Sequence, residues 1–432
     1  MTLIAAVKRT LKPPLLSAAD FWLFNVLSRL APPGTAAPDA PRRFLVLAPA
    51  GAGSLGDEAM TRSAVAALRG RIPDAKITLV VFKDTDFAHY GDLGTDMVCL
   101  AGFMGVRPRL ATLRRLMAAL RQGTDFVILG ADVLDGIYEP SNTIRRLWLA
   151  VAAQRAGLSA NLIGFSFADR AGPQVRGFLR DHCASFNIIS RDPVSAARVA
   201  EVVGRPVPSA ADLAFLLPRP DAASPAATEA LAQAAAWRAE GRPIVVFNGN
   251  AHGLRTSHPG IDVAACARAF AEALKQIHAA TNCGFVFVSH DDRPGVSDAD
   301  FIRTITALLP EGTPTAMPDA PIRPSDAKLL CEQANLTITG RMHLGIASLG
   351  VATPALFYDY QGKVEGLLEL FDLPDLKFGA EDVLAPERLA QIVIDRIARG
   401  ADISAQIEAR LPAVRALSAR NIDLVVNGKV AP

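Results

Sequence analysis

Arg341 and His343 stand two residues apart in TGRMHLGIASLG, where a short apolar run ends and a small-residue helical segment begins. The first N–H groups of a helix lack intrahelical partners, and the positive end of the helix dipole favours an anion beside them. A guanidinium there adds a charge that can grip carboxylate or phosphate through two parallel hydrogen bonds. An imidazole alongside can give or take a proton near neutral pH. The pair suits acid–base chemistry on a bound anion. The plain alternative is a structural histidine satisfied by a backbone carbonyl.

Other polar groups also cluster just after apolar runs. APAGAGSLGDEAM places Gly51, Gly53 and Gly56 ahead of Asp57 and Glu58. The glycine spacing fits a dinucleotide fingerprint, but two acids at a helix start would repel a pyrophosphate. They suit recognition of sugar hydroxyls better, or Asp57 simply caps the helix. ILGADVLDGIY offers Asp132 and Asp135 as hydroxyl acceptors, a general base or turn formers. SRDPVSAARV offers Arg191 for an anion or for an ion pair with Asp192 or another acid. FNGNAHGLRTSH carries Asn248, Asn250, His252, Arg255 and His258, and SHDDRPG carries His290, Asp291 and Asp292. Asp291 and Asp292 should point to opposite sides of an extended segment, so a metal site is not expected.

These residues need elements to hold them. RFLVLAP (43–49), KITLVVF (76–82), DFVILGA (125–131), NLIGFSF (161–167) and FNIIS (186–190) read as apolar strands with helical stretches between. One such helix is RPRLATLRRLMAALRQG (107–123). LLPRPDAASPAATEA (216–230) reads as a linker, and the pattern resumes with strands at 243–249, 284–290, 335–339 and 354–359. Continuous apolar strands alternating with helices predict parallel sheets covered on both faces. The expected fold is α/β, with two doubly wound Rossmann-like domains facing a cleft. Expected boundaries are a helical N-terminal extension at 1–42, a first domain at 43–217, a linker and helix at 218–240, a second domain at 241–385 and C-terminal helices at 386–432. Ligands of such sheets bind beyond the C-terminal strand ends.

With 432 residues, half of them hydrophobic, the chain can bury more than one core. Its net charge of +2 gives no argument for nucleic-acid binding. Cys99, Cys183, Cys266, Cys283 and Cys331 lack C-x-x-C spacing and read as buried thiols of a reducing compartment. No run is long enough to predict a membrane-spanning helix. Residues 1–43 hold six cations against two acids around LLSAADFWLFNVLSRL, and Arg107, Arg109, Arg114, Arg115 and Arg121 form a second basic stretch. Both could rest on an anionic membrane, although packing of the N-terminal helix on protein and a solvated basic face explain them as well.

SLGDEAM, SRDPVSAARV and TGRMHLGIASLGVATPALFYDYQGKVEGLLELFDL together resemble the polysaccharide pyruvyl transferase family, over about residues 44–372. The resemblance implies a fold similar to the GT-B glycosyltransferases. It implies transfer of a pyruvyl group from phosphoenolpyruvate onto two hydroxyls of a sugar, in a surface polysaccharide or its lipid-linked precursor. His343 would be the acid/base, Arg341 and Lys363 the cations for phosphoenolpyruvate, and Asp57 a residue of the cleft wall. Gly56, Glu58, Asp132, Arg191, Asn248, Arg255 and His290 complete the candidate substrate contacts. No cofactor or metal is implied, and a cytoplasmic protein, peripheral on the inner membrane face or not, is expected; a homo-oligomer is left open. GADVLDG replaces a glycine triplet, which suggests a different acceptor sugar, and FNGNAHGLR sets Arg255 several residues beyond the strand end. The alternatives are a GT-B-like glycosyltransferase using a nucleotide sugar and a non-catalytic glycan-binding member.

Overall fold

The computed structural model describes residues 41–104, 110–359 and 364–428. The helical extension expected at 1–42 lies, up to residue 40, outside the described residues, as do Arg107, Arg109 and Lys363. Among those described, no helix is long and apolar enough to cross a membrane.

Twelve strands form two sheets. The first contains β1 (Arg43–Leu47), β2 (Lys76–Val81), β3 (Asp96–Cys99), β4 (Asp125–Ala131), β5 (Ser159–Phe165) and β6 (Asn187–Ser190). Their order is β3-β2-β1-β4-β5-β6, and every pairing is parallel. The second contains β7 (Ile244–Asn248), β8 (Gly284–Phe287), β9 (Thr315–Ala316), β10 (Leu336–Thr339), β11 (Ala355–Tyr358) and β12 (Lys377–Phe378). Its order, β12-β11-β10-β7-β8-β9, is the same winding repeated, again all parallel. In such a sheet the order reverses beside the first strand, and a crevice opens at the C-terminal ends there. In the second sheet that point lies between β7 and β10, where Asn248 and Thr339 pair in register.

Strand composition explains the layers. All seven residues of β4 and all five of β7 are buried, as strands covered by helices on both faces require. The first sheet packs with Trp148, Phe165 and Phe178 in one core. The second has a core on each face, one around Phe247, Phe270, Phe285 and Phe301 and one around Trp237, Val246, Val286 and Leu344. Truncating one of these large side chains costs roughly 2–5 kcal/mol. The five cysteines are buried and unbridged.

The chain divides into two compact units, one made of residues up to Gly51, Met60–Leu213 and Leu417 onward, the other of Ala52–Ala59 and Ala214–Ala416. The division does not follow chain order in two places. The glycine loop and first turn of the Leu55–Arg71 helix join the second unit, and the end of the Gly400–Asn427 helix joins the first. Backbone pairing explains the former: Ser54 bridges Asp291, Leu55 N donates to His290 O at 3.0 Å, and Asp292 N donates to Gly53 O at 2.8 Å. Ser418 Oγ bonds Asp212 O and Asn421 Nδ2 bonds Ala211 O, which explains the latter. The stretch expected as linker and helix at 218–240 contains the Pro225–Ala239 helix.

Candidate active site

β10 ends at Thr339, Gly340 follows, and Arg341 precedes the Met342–Leu349 helix. Gly340 lets two segments touch: a Cβ there would meet Asn250 Cβ at 2.6 Å. Asn250 uses this closeness. Its Nδ2 donates to Gly340 O, and its Oδ1 accepts from Gly253 N, capping the Ala251–Ser257 helix. The two strand-end loops beside the switch point are thereby tied together.

His343 sits in the first turn of the Met342–Leu349 helix and packs on Gly56 in the first turn of the Leu55–Arg71 helix. A Cβ at residue 56 would lie 2.3 Å from His343 Nδ1, so only glycine admits the imidazole. His290, from the loop after β8, stacks with His343 at 6.4 Å between centroids and 15° between planes. His290 is 4% exposed, and neither ring nitrogen has a hydrogen-bond partner among the described residues. Burial, and then the charges of Arg341, His343 and Arg293, hold its pKa well below the usual histidine value. His252 is lowered too, first by burial and then by Arg341.

Arg341 is not an open anion grip. Its Nη2 meets Asp298 Oδ1 at 2.7 Å and Val296 O at 3.0 Å, its Nε lies 3.2 Å from both Asp298 oxygens, and Nη1 is 3.4 Å from Asp291. Both carboxylates are buried, and a buried charge must be matched. Burial pushes the Asp298 carboxyl up, with Arg341 pulling it back. The guanidinium of Arg341, expected to bind substrate, thus also balances a buried acidic pair. The Asn248 amide donates to Val288 O and Asp298 Oδ2 within the core. Arg293 bonds Asp291 through Nη2 at 2.6 Å and reaches Asp57 at 3.5 Å, linking the glycine loop to this network. Glu58 braces the loop by accepting from Gly53 N at 2.9 Å.

Seven candidates thus meet in the second unit: Gly56, Asp57, Glu58, Asn248, His290, Arg341 and His343. Arg255 is exposed on the Ala251–Ser257 helix. Two belong to the first unit. Arg191 is 5% exposed and bonded to Asp212 at 2.9 Å and Ser166 Oγ at 2.7 Å, so the ion-pair alternative holds, with Asp212 rather than Asp192 as partner. Asp192 caps the Pro193–Val203 helix through Ser195 N. Asp132 accepts from Tyr138 Oη at 2.9 Å, while Asp135 accepts from Ile137 N as a turn former.

Sequence reasoning missed Arg293, Asp298 and Lys328. The first two follow β8 in SHDDRPGVSD, where the density of charge beyond a strand end was a usable signal. Lys328 lies within the Pro324–Gln333 helix with nothing to mark it. The residue is 7% exposed, its ammonium donates to Leu217 O at 2.8 Å, and burial and then Arg415 bring its pKa down to about 8.

The model of the family Polysaccharide pyruvyl transferase matches residues 55–362. A search of curated proteins gives no sequence match. Among solved structures, a candidate UDP-N-acetylglucosamine 2-epimerase from Listeria monocytogenes aligns with TM-score 0.61 and 13% identity, over 90% of this chain and 96% of that one. A ugt transferase from Siraitia grosvenorii in complex with UDP gives 0.56 and 12%, over 90% and 99%. A UDP-GlcNAc 2-epimerase from Neisseria meningitidis bound to UDP-GlcNAc gives 0.55 and 9%, over 90% and 100%. At such identities the likeness is one of fold: the two-domain, Rossmann-like α/β architecture of GT-B glycosyltransferases and these epimerases.

Proposed function

The chain belongs to the polysaccharide pyruvyl transferase family, and from that premise we propose that it moves a pyruvyl group from phosphoenolpyruvate onto two hydroxyls of a glycan, closing a cyclic ketal. The observation that carries the reading is the seating of His343 on Gly56 at the switch point of the second sheet. A proton donor held there against a helix start is what enol chemistry needs.

In this scheme His343 protonates C3 of phosphoenolpyruvate, and C2 becomes electrophilic. A sugar hydroxyl adds to C2 and loses its proton to Asp57. The C2–O bond to phosphate breaks, phosphate leaves with its bonding electrons, and the second hydroxyl closes the ring and releases its own proton. Counted over the cycle, two protons leave the sugar; one restores His343 and one goes to phosphate.

Fixed charge does not make this pocket cationic. Arg293 and Arg341 stand against Asp57, Asp291 and Asp298. The donor's anionic groups would rely on the N–H groups at the start of the Met342–Leu349 helix and on protonated His343. Glycan in an exopolysaccharide or its lipid-linked precursor, on the cytoplasmic side of a membrane, is the acceptor class that fits this family chemistry.

The test is phosphate release from phosphoenolpyruvate in the presence of oligosaccharide acceptors, with mass spectrometry of the sugar. Acceptor-dependent phosphate and a pyruvylated product support the reading. Turnover of a nucleotide sugar instead would replace it with glycosyl transfer. Binding of glycan without turnover of either donor would favour a non-catalytic member.

A further inference from the structure

His290 presents a buried ring whose two nitrogens have no hydrogen-bond partner among the described residues, and native structures rarely leave such groups without a purpose. It lines a cavity of about 10 Å³ together with Lys328 and His343, close to the space that one water needs. The rest of the lining is apolar, including Leu55, Ala59, Leu217 and Leu344. A molecule bound there would find its polar partners among His290, Lys328 and His343.

We propose that His290 is a positioning residue: through one solvent molecule held in this cavity, it sets the proton on His343. The inference rests on the reading of His343 as the acid. The chemistry suits it. A neutral imidazole has one donor and one acceptor, so it can orient a water that accepts from one side and donates to the other. The ammonium of Lys328, fixed by Leu217 O, has further N–H groups to offer the same molecule. A phenylalanine at 290 would fill the same space and do none of this.

Several charges face the two rings. Asp291 and Arg293 lie on the His290 loop, Asp298 just beyond it, Arg341 before the helix of His343, Asp57 at the start of the Leu55–Arg71 helix, and Lys328 on Pro324–Gln333. His290 itself stays uncharged at neutral pH, for the burial and cations already described. Replacing it by phenylalanine therefore leaves the net charge around His343 unchanged.

The experiment compares the full chain with His290→Phe and His290→Asn. Ring ¹⁵N shifts of His343 are followed across pH, alongside the pH profile of phosphate release from phosphoenolpyruvate. Losing a hydrogen bond to the charged form lowers a histidine's midpoint. In His290→Phe the His343 midpoint is expected to fall by about half a pH unit or more. kcat falls about tenfold or more, KM for phosphoenolpyruvate stays within about twofold, and the alkaline limb moves to lower pH. His290→Asn, which keeps a donor and an acceptor, restores part of each effect and serves alone if His290→Phe does not fold. A His343 titration and pH profile unmoved in a folded variant would overturn the relay. If the original chain released no phosphate, the pyruvyl transfer reading would fall, while the His343 titration would still decide the relay.

Discussion

His343 depends on a residue with no side chain. Alanine at position 56 would put a methyl group 2.3 Å from Nδ1, inside contact distance, and the ring must swing away. Misplacing a catalytic group by about 1 Å can cost on the order of a hundredfold in rate. Gly56→Ala is therefore expected to lose about two orders of magnitude in phosphate release while retaining most of its stability, checked by turnover and by denaturant unfolding. Arg341 should behave in the opposite way. Arg341→Ala leaves Asp298 buried without its counter-charge, while Asp291 keeps Arg293, at a cost of about 3–5 kcal/mol. A drop in urea midpoint of that size, present without any ligand, is the expected result; an unchanged midpoint would mean that the pair does little. R-x-H was legible in the sequence as a chemical motif. The division of labour within it was not, because Asp298 lies 43 positions away from Arg341 and only the fold joins them.

At the level of elements, apolar runs told most of the story. β1, β2, β4, β7 and β10 fall within a residue or two of the stretches read as strands, because a strand covered on both faces must be hydrophobic along its length. β3, β9 and β12 were missed: they lie at or beside the sheet margins, have two to four residues and carry a mixed composition. Also hidden was the pairing of Gly53–Leu55 with His290–Asp292, which uses backbone groups that any sequence offers. Asn250 shows how much one cap can position. Asn250→Ala removes the helix cap and the bond to Gly340 O together, so a loss of about 0.5–2 kcal/mol is expected in denaturant unfolding. Asn250→Ser should recover the cap part but not the strap, and equal losses in both variants would show that the strap to Gly340 dominates.

For the whole molecule, the same winding occurs twice, and the second copy brings His290 and His343 face to face, with His252 on a neighbouring helix. Repetition was readable from the alternating pattern and from the break near residue 217, whereas the transfer of residues 52–59 to the second unit was not. That collection has a consequence for stability. His290 and His252 have folded-state pKa values below their unfolded value of 6.5. Above that pH both states hold these rings neutral, and nothing is lost. As pH falls below 6.5, the unfolded chain takes up protons that the folded chain refuses, so stability declines. Each ring contributes at most about 1.4 kcal/mol per pH unit through that window. Asp298 and Asp292, raised from 3.8 by burial, act in the opposite sense at lower pH. Urea midpoints should therefore fall between pH 6.5 and 5.5, and His290→Phe should flatten the slope. A midpoint that rises over this interval would contradict the buried neutral state of His290.

Pyruvyl transfer itself is tested most directly by mixing the full chain with phosphoenolpyruvate and a panel of oligosaccharides, measuring phosphate and product mass, and repeating with His343→Asn. Acceptor-dependent phosphate, a ketal-bearing sugar and loss of at least about a hundredfold in the variant are the expected results. Phosphate release at the same rate with and without His343 would contradict it.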